Sequence, residues 1–253
     1  MARTLPREAV DELTRQINLV SERMRAKLIE QLSQVDFSAE GAIDVVKEIM
    51  QLYCGGATDA VALLAAQFYD AAREYCIGSA LGAVANSQRL PEATNIATVG
   101  IIVNATDPAS IVDDLAARLD YECKRSAGDC VFYNGSNDRA KPYYARVPTG
   151  SETCPFCLML ASRGFVYRSN KSAGELDHYH AHCDCRVVPG WGNDAKVGGY
   201  DPSAIYDRWQ ESVDDIAAKR AEKNDTTVEL ERAHIMSQLQ ESAKRAKDRA
   251  KRI

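Results

Sequence analysis

Four cysteines and three histidines fall between Cys154 and Cys185, and this cluster constrains the fold of the 253-residue chain more than any other feature. Cys154 and Cys157 have the spacing that lets two thiolates on one turn reach a single ion, about 2.3 Å from each. The second group is His178, His180, His182, Cys183 and Cys185, in which His180 and Cys183 repeat the gap. Twenty-two residues separate Cys157 from His180, enough for a β-hairpin that brings the two knuckles together, as in small zinc folds. Zinc is the expected metal. A tetrahedral ion needs four ligands, and Cys154, Cys157 and His180 are expected to supply three. The fourth is Cys183 or Cys185, which share a face of an extended segment. A closed shell of thiolates and imidazole leaves no position for water, so the zinc would be structural. His178 and His182 are then surface groups or partners of the ligands.

Competing uses of these residues fit less well. The N-terminus has no apolar stretch behind its charges, so no secretory signal is expected and a reducing cytosol disfavours a disulfide framework. A redox CxxC belongs in a βαβ setting, and none is readable here. A zinc deaminase places HxE ahead of PCxxC, whereas here the CxxC comes first. No nucleophile elbow, phosphate-binding loop or HExxH motif occurs. Any cysteine held by zinc is lost as a nucleophile, so the chain is not expected to be an enzyme. With a net charge of −5 the protein as a whole neither repels nor seeks polyanions strongly, and no transmembrane segment or membrane partner is expected.

The rest of the chain reads as helices. Val10, Leu13, Ile17, Val20, Met24, Leu28, Leu32 and Val35 recur every three or four positions and predict one long amphipathic helix, with Pro6 at its start. A second helix is expected from about Ile43 to a stop at Gly55 and Gly56, and a third from Thr58 or Asp59 to about Val84. Ser87 to Asp107 reads as a connection. A fourth helix opens at Pro108 and runs to about Ser126. Short strands are expected at Tyr143 to Val147, Phe165 to Tyr167 and Arg186 to Val188. Helices then follow from Pro202, and from about Val228 to Ile253. Cys54, Cys76, Cys123 and Cys130 are expected to be ordinary buried thiols on helices.

The fold expected is therefore α+β and predominantly α-helical: a helical N-terminal half, then a small zinc-stapled α+β domain with short strands, then C-terminal helices. The divisions are residues 1–128, a helical docking region; 129–200, the Cys/His core; and 201–253, helices ending in a basic tail. That tail, with Lys244, Arg245, Lys247, Arg249, Lys251 and Arg252, is a possible contact for packaged DNA or simply a solvated helix end.

Three runs together resemble one family. Tyr143 to Gly150 (YYARVPTG), Thr153 to Gly164 (TCPFCLMLASRG) and Tyr179 to Cys185 (YHAHCDC) are similar to the core of the Mu F-like minor head proteins of tailed phages, especially actinobacterial phages and prophages. The resemblance covers about Tyr143 to Trp191 and extends weakly to Gly199 through Ser203. It implies a virion protein of head morphogenesis, made in the host cytoplasm and packaged inside the head. Its implied partners are the portal protein and the major capsid or scaffold protein. It also implies that Cys154, Cys157, His180, Cys183 and Cys185 form the Cys/His core, and that Arg146, Pro148 and Gly150 belong to the strand and turn delivering Cys154. Some relatives are described as capsid maturation proteases, which makes a Cys/His hydrolase the rival expectation.

Overall fold

A computed structural model describes residues 2–150, 153–169 and 185–249. The chain is predominantly helical, as expected, and its strands are few. Helix α1 (Arg7–Leu32) buries Val10, Leu13, Ile17, Leu28 and Leu32, the stripe that its periodicity predicts. Pro6 stands just outside the first turn with φ −60°, where its missing N–H costs no helical bond.

Helix α2 (Ala42–Ile77) corrects the expectation of a break at Gly55 and Gly56: it runs 36 residues and stops at Gly78, whose φ of 88° is the left-handed cap. The two glycines cost about 1 kcal/mol each against alanine. The buried stripe Val46, Met50, Cys54, Ala57, Val61, Ala65, Phe68, Ala72 and Cys76 passes through them without losing phase, and its packing on α1 and α4 outweighs that cost. Gly55 also makes room. A β-carbon there would lie 3.2 Å from the Arg89 guanidinium, which crosses this turn to pair with Asp59. By length and apolarity α2 could cross a membrane, a property that core helices share, and here it packs among neighbouring helices.

The stretch expected as a connection contains helix α3 (Pro91–Asn104), which opens with proline in its first turn. Helix α4 (Pro108–Asn137) extends eleven residues past the expected end at Ser126. From Glu122 to Phe132 every residue of α4 is buried, because α1, α2, α3 and the later β-hairpin surround it. The division at residue 128 therefore falls inside one helix, and a single apolar core runs from Leu5 through Tyr144 and Trp191 to Val213.

Strands β1 (Tyr143–Pro148) and β2 (Cys185–Gly190) pair antiparallel, with Tyr143 opposite Gly190 and Pro148 opposite Cys185. Both strands are largely buried, β1 against helix α5 (Pro155–Ala161) and β2 against the helices of the bundle. The expected strand at Phe165 to Tyr167 reduces to one bridge, Tyr144 to Tyr167. The first knuckle, expected as a turn, is instead the start of α5. Helix α6 (Pro202–Asn224) is capped by the Asp201 carboxylate, and α7 (Val228–Arg249) folds back on it after Asp225 turns left-handed. The side chains of Lys244, Arg245, Lys247 and Arg249, and all of Lys251 and Arg252, lie outside the described residues.

One close approach fixes the hairpin on the bundle. A β-carbon on Gly135 of α4 would sit 1.8 Å from the Tyr144 hydroxyl and 2.8 Å from Cζ. Tyr144 is buried and packs edge-on against Phe132, so it has little room to move. Gly135→Ala is expected to lose about 1–3 kcal/mol despite the better helix propensity of alanine. Thermal melts should show the loss, and adding Tyr144→Phe should recover part of it. Equal stability of Gly135→Ala and the parent would refute the packing argument.

Candidate metal centre

The sulfur-bearing positions sit where α5, β1 and β2 meet. Cys154 is extended (φ −63°, ψ 153°) and caps α5, its Sγ accepting the Cys157 N–H at 3.4 Å. Pro155 follows at the first helical position, where its ring fits the turn. This order of residues aims both sulfurs from the same helix end. Cys185 opens β2 and is held opposite Pro148 by strand pairing. The outcome is that Cys157 Sγ and Cys185 Sγ lie 3.3 Å apart, both residues wholly buried.

The other end of α5 is anchored by two phenols. Tyr167 donates to the Leu160 carbonyl at 2.7 Å and Tyr200 to the Ala161 carbonyl at 2.5 Å, satisfying acceptors that a short helix leaves open. Burial pushes the Tyr167 phenol up to about 12 against the opposing charges of Arg163 and Arg146, so it remains a neutral donor.

Arg146, which the sequence reading placed only in the strand and turn delivering Cys154, also reaches this junction. It belongs to the buried strand β1, and two positions along β2 from its partner Val187 stands Cys185, on the same face. Its guanidinium is 1% exposed and donates to Cys185 Sγ from Nε (3.1 Å) and Nη2 (2.8 Å), with Nη2 also 4.0 Å from Cys157 Sγ. The signal was available: one arginine in an otherwise apolar strand. Arg186, its neighbour across the register, points away and bonds Asn18 of α1.

For zinc bonds of about 2.3 Å, two sulfurs of a tetrahedral shell stand about 3.8 Å apart. The Cys157 and Cys185 sulfurs are within half an ångström of that spacing, and the chemistry of the donors suits zinc. Among the described residues no group of three Cys, His, Asp or Glu side chains is arranged to hold a metal ion. His178, His180, His182 and Cys183 lie outside the described residues.

The remaining cysteines are of a different kind. Cys54 and Cys76 on α2, and Cys123 and Cys130 on α4, are buried. Burial raises all four thiols above their ordinary range, Cys123 to about 12, so they act as small apolar side chains.

Residues 4–212, from ahead of α1 to within α6, match the family model described as VG15 protein. The chain belongs to the VG15 protein family. The matched span includes both strands, α5, Arg146 and every cysteine of the cluster. Among curated relatives, the VG15 chain is 29% identical to the gene 15 protein of Mycobacterium phage L5, over 50% of this chain and 58% of that protein. It is 36% identical to the gene 15 protein of Mycobacterium phage D29, over 18% of this chain and 27% of that protein. The VG15 chain thus spans little more than half the length of one relative and about a quarter of the other. No solved structure matches. The family and its relatives place the chain among phage proteins.

Proposed function

We propose that this chain is a structural minor head protein of a tailed phage or prophage, acting in head morphogenesis beside the portal and inside the procapsid. The VG15 match across residues 4–212 carries this reading, with the phage origin of both relatives. The Mu F-like phrases of Tyr143 to Cys185 supply the finer assignment to the head. The surface suits a protein that docks: Leu52, Ile96 and Val103 are 70%, 74% and 67% exposed on the helical half. Portal, major capsid and scaffold subunits are the partners proposed for it.

A structural zinc is part of the proposal. Cys154, Cys157 and His180, with Cys183 or Cys185, would hold it and tie α5 to the hairpin, while the metal supplies crosslinking and no chemistry. Complete burial of Cys157 and Cys185 supports this role over that of a maturation protease, because a nucleophile must meet its substrate.

Mass spectrometry of purified procapsids and virions is the test, with cryo-electron microscopy to locate the chain at the portal vertex. The expected outcome is a few copies per head, and heads malformed or missing in a deletion strain. Consistent absence from both particles overturns the head assignment. A cleaved coat protein whose processing stops in Cys154→Ala, the half-buried thiol of the cluster, with zinc content and folding intact, would instead establish the protease.

A further inference from the structure

Helix α3 reverses the usual order of a soluble helix. It buries Thr94 and Thr98 and shows Ile96 and Val103 to solvent, and Glu92 is the one charge in its 14 residues. Its neighbours fix how it lies. Helices α2 and α4 run in the same direction, since Ser126 donates to the Thr58 carbonyl, Cys130 to that of Ala62 and Tyr69 to the Asp138 carboxylate. The short link between Asn104 and Pro108 folds α4 back along α3, with Thr94 beside Glu122, so α3 is antiparallel to both. Gln51 of α2 donates to the Pro91 carbonyl and to Asn95 Oδ1, at 2.7 and 2.8 Å. The start of α3 therefore sits beside the turn of α2 that carries Glu48 and Leu52.

Two apolar rows flank the seam between these helices. On α3, Ile96, Val99 and Val103 lie on the side away from the buried threonines. On α2, Val45 and Leu52 share one outer line and are both largely exposed. Gly100 stands between Ile96 and Val103 on the outer side of α3. A β-carbon on it would meet nothing within 4 Å, so the missing side chain leaves a notch open to solvent.

Charge narrows what can cover the seam. Glu48 stands between Val45 and Leu52, and Glu92 one turn before Ile96; both are exposed, and neither has an ion-pair partner among the described residues. The nearby bases are already engaged, Lys47 by Asp44 at 2.6 Å and Arg89 by Asp59. The apolar rows are thus edged by uncompensated acid.

We propose that the α2–α3 seam is the docking site of an amphipathic helix from another protein, with an apolar stripe bordered by lysine or arginine. This partner rests on the docking role proposed above and gives it a chemistry. A third helix packs its ridges along the seam of two antiparallel ones and lays its apolar face on the two rows. Lysine or arginine stems extend over Leu52 and Ile96 while their charged heads reach Glu48 and Glu92, whose cover by an uncharged body would cost free energy. A second copy presenting the same face would set these carboxylates against their own kind, which disfavours a symmetric dimer here.

The experiment titrates the full chain with two fluorescent helical peptides of about five turns that share one leucine stripe, one flanked by lysine and the other by glutamate, with binding read by anisotropy. The lysine-flanked peptide should bind about tenfold or more tightly than the glutamate-flanked one, and the gap should narrow as salt rises. Glu48→Lys with Glu92→Lys should reverse the preference. Leu52→Ser with Ile96→Ser should weaken the lysine-flanked peptide by about tenfold or more. Circular dichroism checks that each variant is folded, and the charge reversal, which leaves the apolar rows intact, carries the test if the serine pair does not fold. Failure of both peptides to bind overturns the proposal, as does equal binding that the charge reversal leaves unchanged. Sedimentation showing a dimer that Ile96→Ser dissociates gives the face to a second copy and overturns it too. A chain found in heads yet indifferent to the peptides loses this docking site alone, whereas one that binds the lysine-flanked peptide but is absent from heads loses the head assignment alone.

Discussion

Replacing Asp138 by alanine is expected to lower the free energy of unfolding by about 3–5 kcal/mol, the cost of breaking a buried ionic knot from one side. Asp138 follows α4 and is wholly buried. Its carboxylate accepts Arg73 Nε at 2.9 Å and Nη2 at 3.2 Å, the Tyr69 hydroxyl at 2.9 Å, Trp191 Nε1 at 3.1 Å and the Ala140 N–H at 2.8 Å. One side chain thus ties α2, the end of α4 and the segment after β2. Alanine strands the Tyr69 and Trp191 donors in the core, at about 1–3 kcal/mol each. Arg73 is cushioned, because its Nη1 also bonds Ser79 at 2.6 and 2.7 Å. The total therefore falls short of the sum of the parts.

The pH dependence has a definite sign. Burial alone would raise the Asp138 pKa, but the hydrogen bonds from Arg73, Ala140, Trp191 and Tyr69 outweigh it and hold the group below its ordinary value. A lowered folded pKa means the stabilisation is complete above the unfolded value near 4 and is lost as pH falls through the folded one. Urea unfolding followed by tryptophan fluorescence and circular dichroism should therefore show the gap between wild type and Asp138→Asn closing below about pH 4. A gap under 1 kcal/mol for Asp138→Ala at neutral pH would remove the knot from the account of stability.

Most helices could be read from the sequence, and the misreadings have physical causes. At Gly55 and Gly56 a local stop signal competed with a long-range pattern, and the pattern prevailed: Met50, Cys54, Ala57 and Val61 keep a helical phase across the pair. Following phase rather than propensity would have given one helix. In α3 the apolar pattern itself misleads, because Thr94 and Thr98 are buried while Ile96 and Val103 face outward. Thr98 settles its hydroxyl on the Thr94 carbonyl and Thr94 approaches Glu122, so a partner helix rather than local preference sustains it. Pro91 and Glu92 at its start were the available helix signals.

At the candidate centre, spacing put Cys157 and Cys185 in one expected cluster, and the structure sets their sulfurs 3.3 Å apart across the hairpin. The contact of Arg146 with Cys185 depends on strand register, which places residue 146 diagonally across from residue 185. No pattern along the chain encodes that contact. The same applies to Asp138, whose partners come from sites 65 or more residues before it and 53 after it.

Arg125→Ala is expected to cost a similar 3–5 kcal/mol, and it separates two meanings of a buried charge. Arg125 is 1% exposed in the fully enclosed stretch of α4, where it pairs with Glu122 through Nε at 2.9 Å and with Asp129 through Nη1. Its Nη2 also holds the Gln88 carbonyl at 3.0 Å, in a connection where Gln88 sits at a left-handed φ of 45°. Removing the guanidinium takes this partner from the buried Asp129 carboxylate, leaves Glu122 to Arg118 and Thr94, and releases that connection. Replacing Arg125 and Asp129 together by methionine and leucine should recover much of the loss, since Glu122 keeps its pair with Arg118 and a well-packed apolar pair often equals a buried ion pair in stability. The double variant cannot restore the bond to Gln88. Limited proteolysis between Gly78 and Pro91 should therefore stay accelerated in both variants while global stability returns only in the double one. If cleavage slows in step with stability, Arg125 contributes through burial energy alone, and the tether to Gln88 has no separate role.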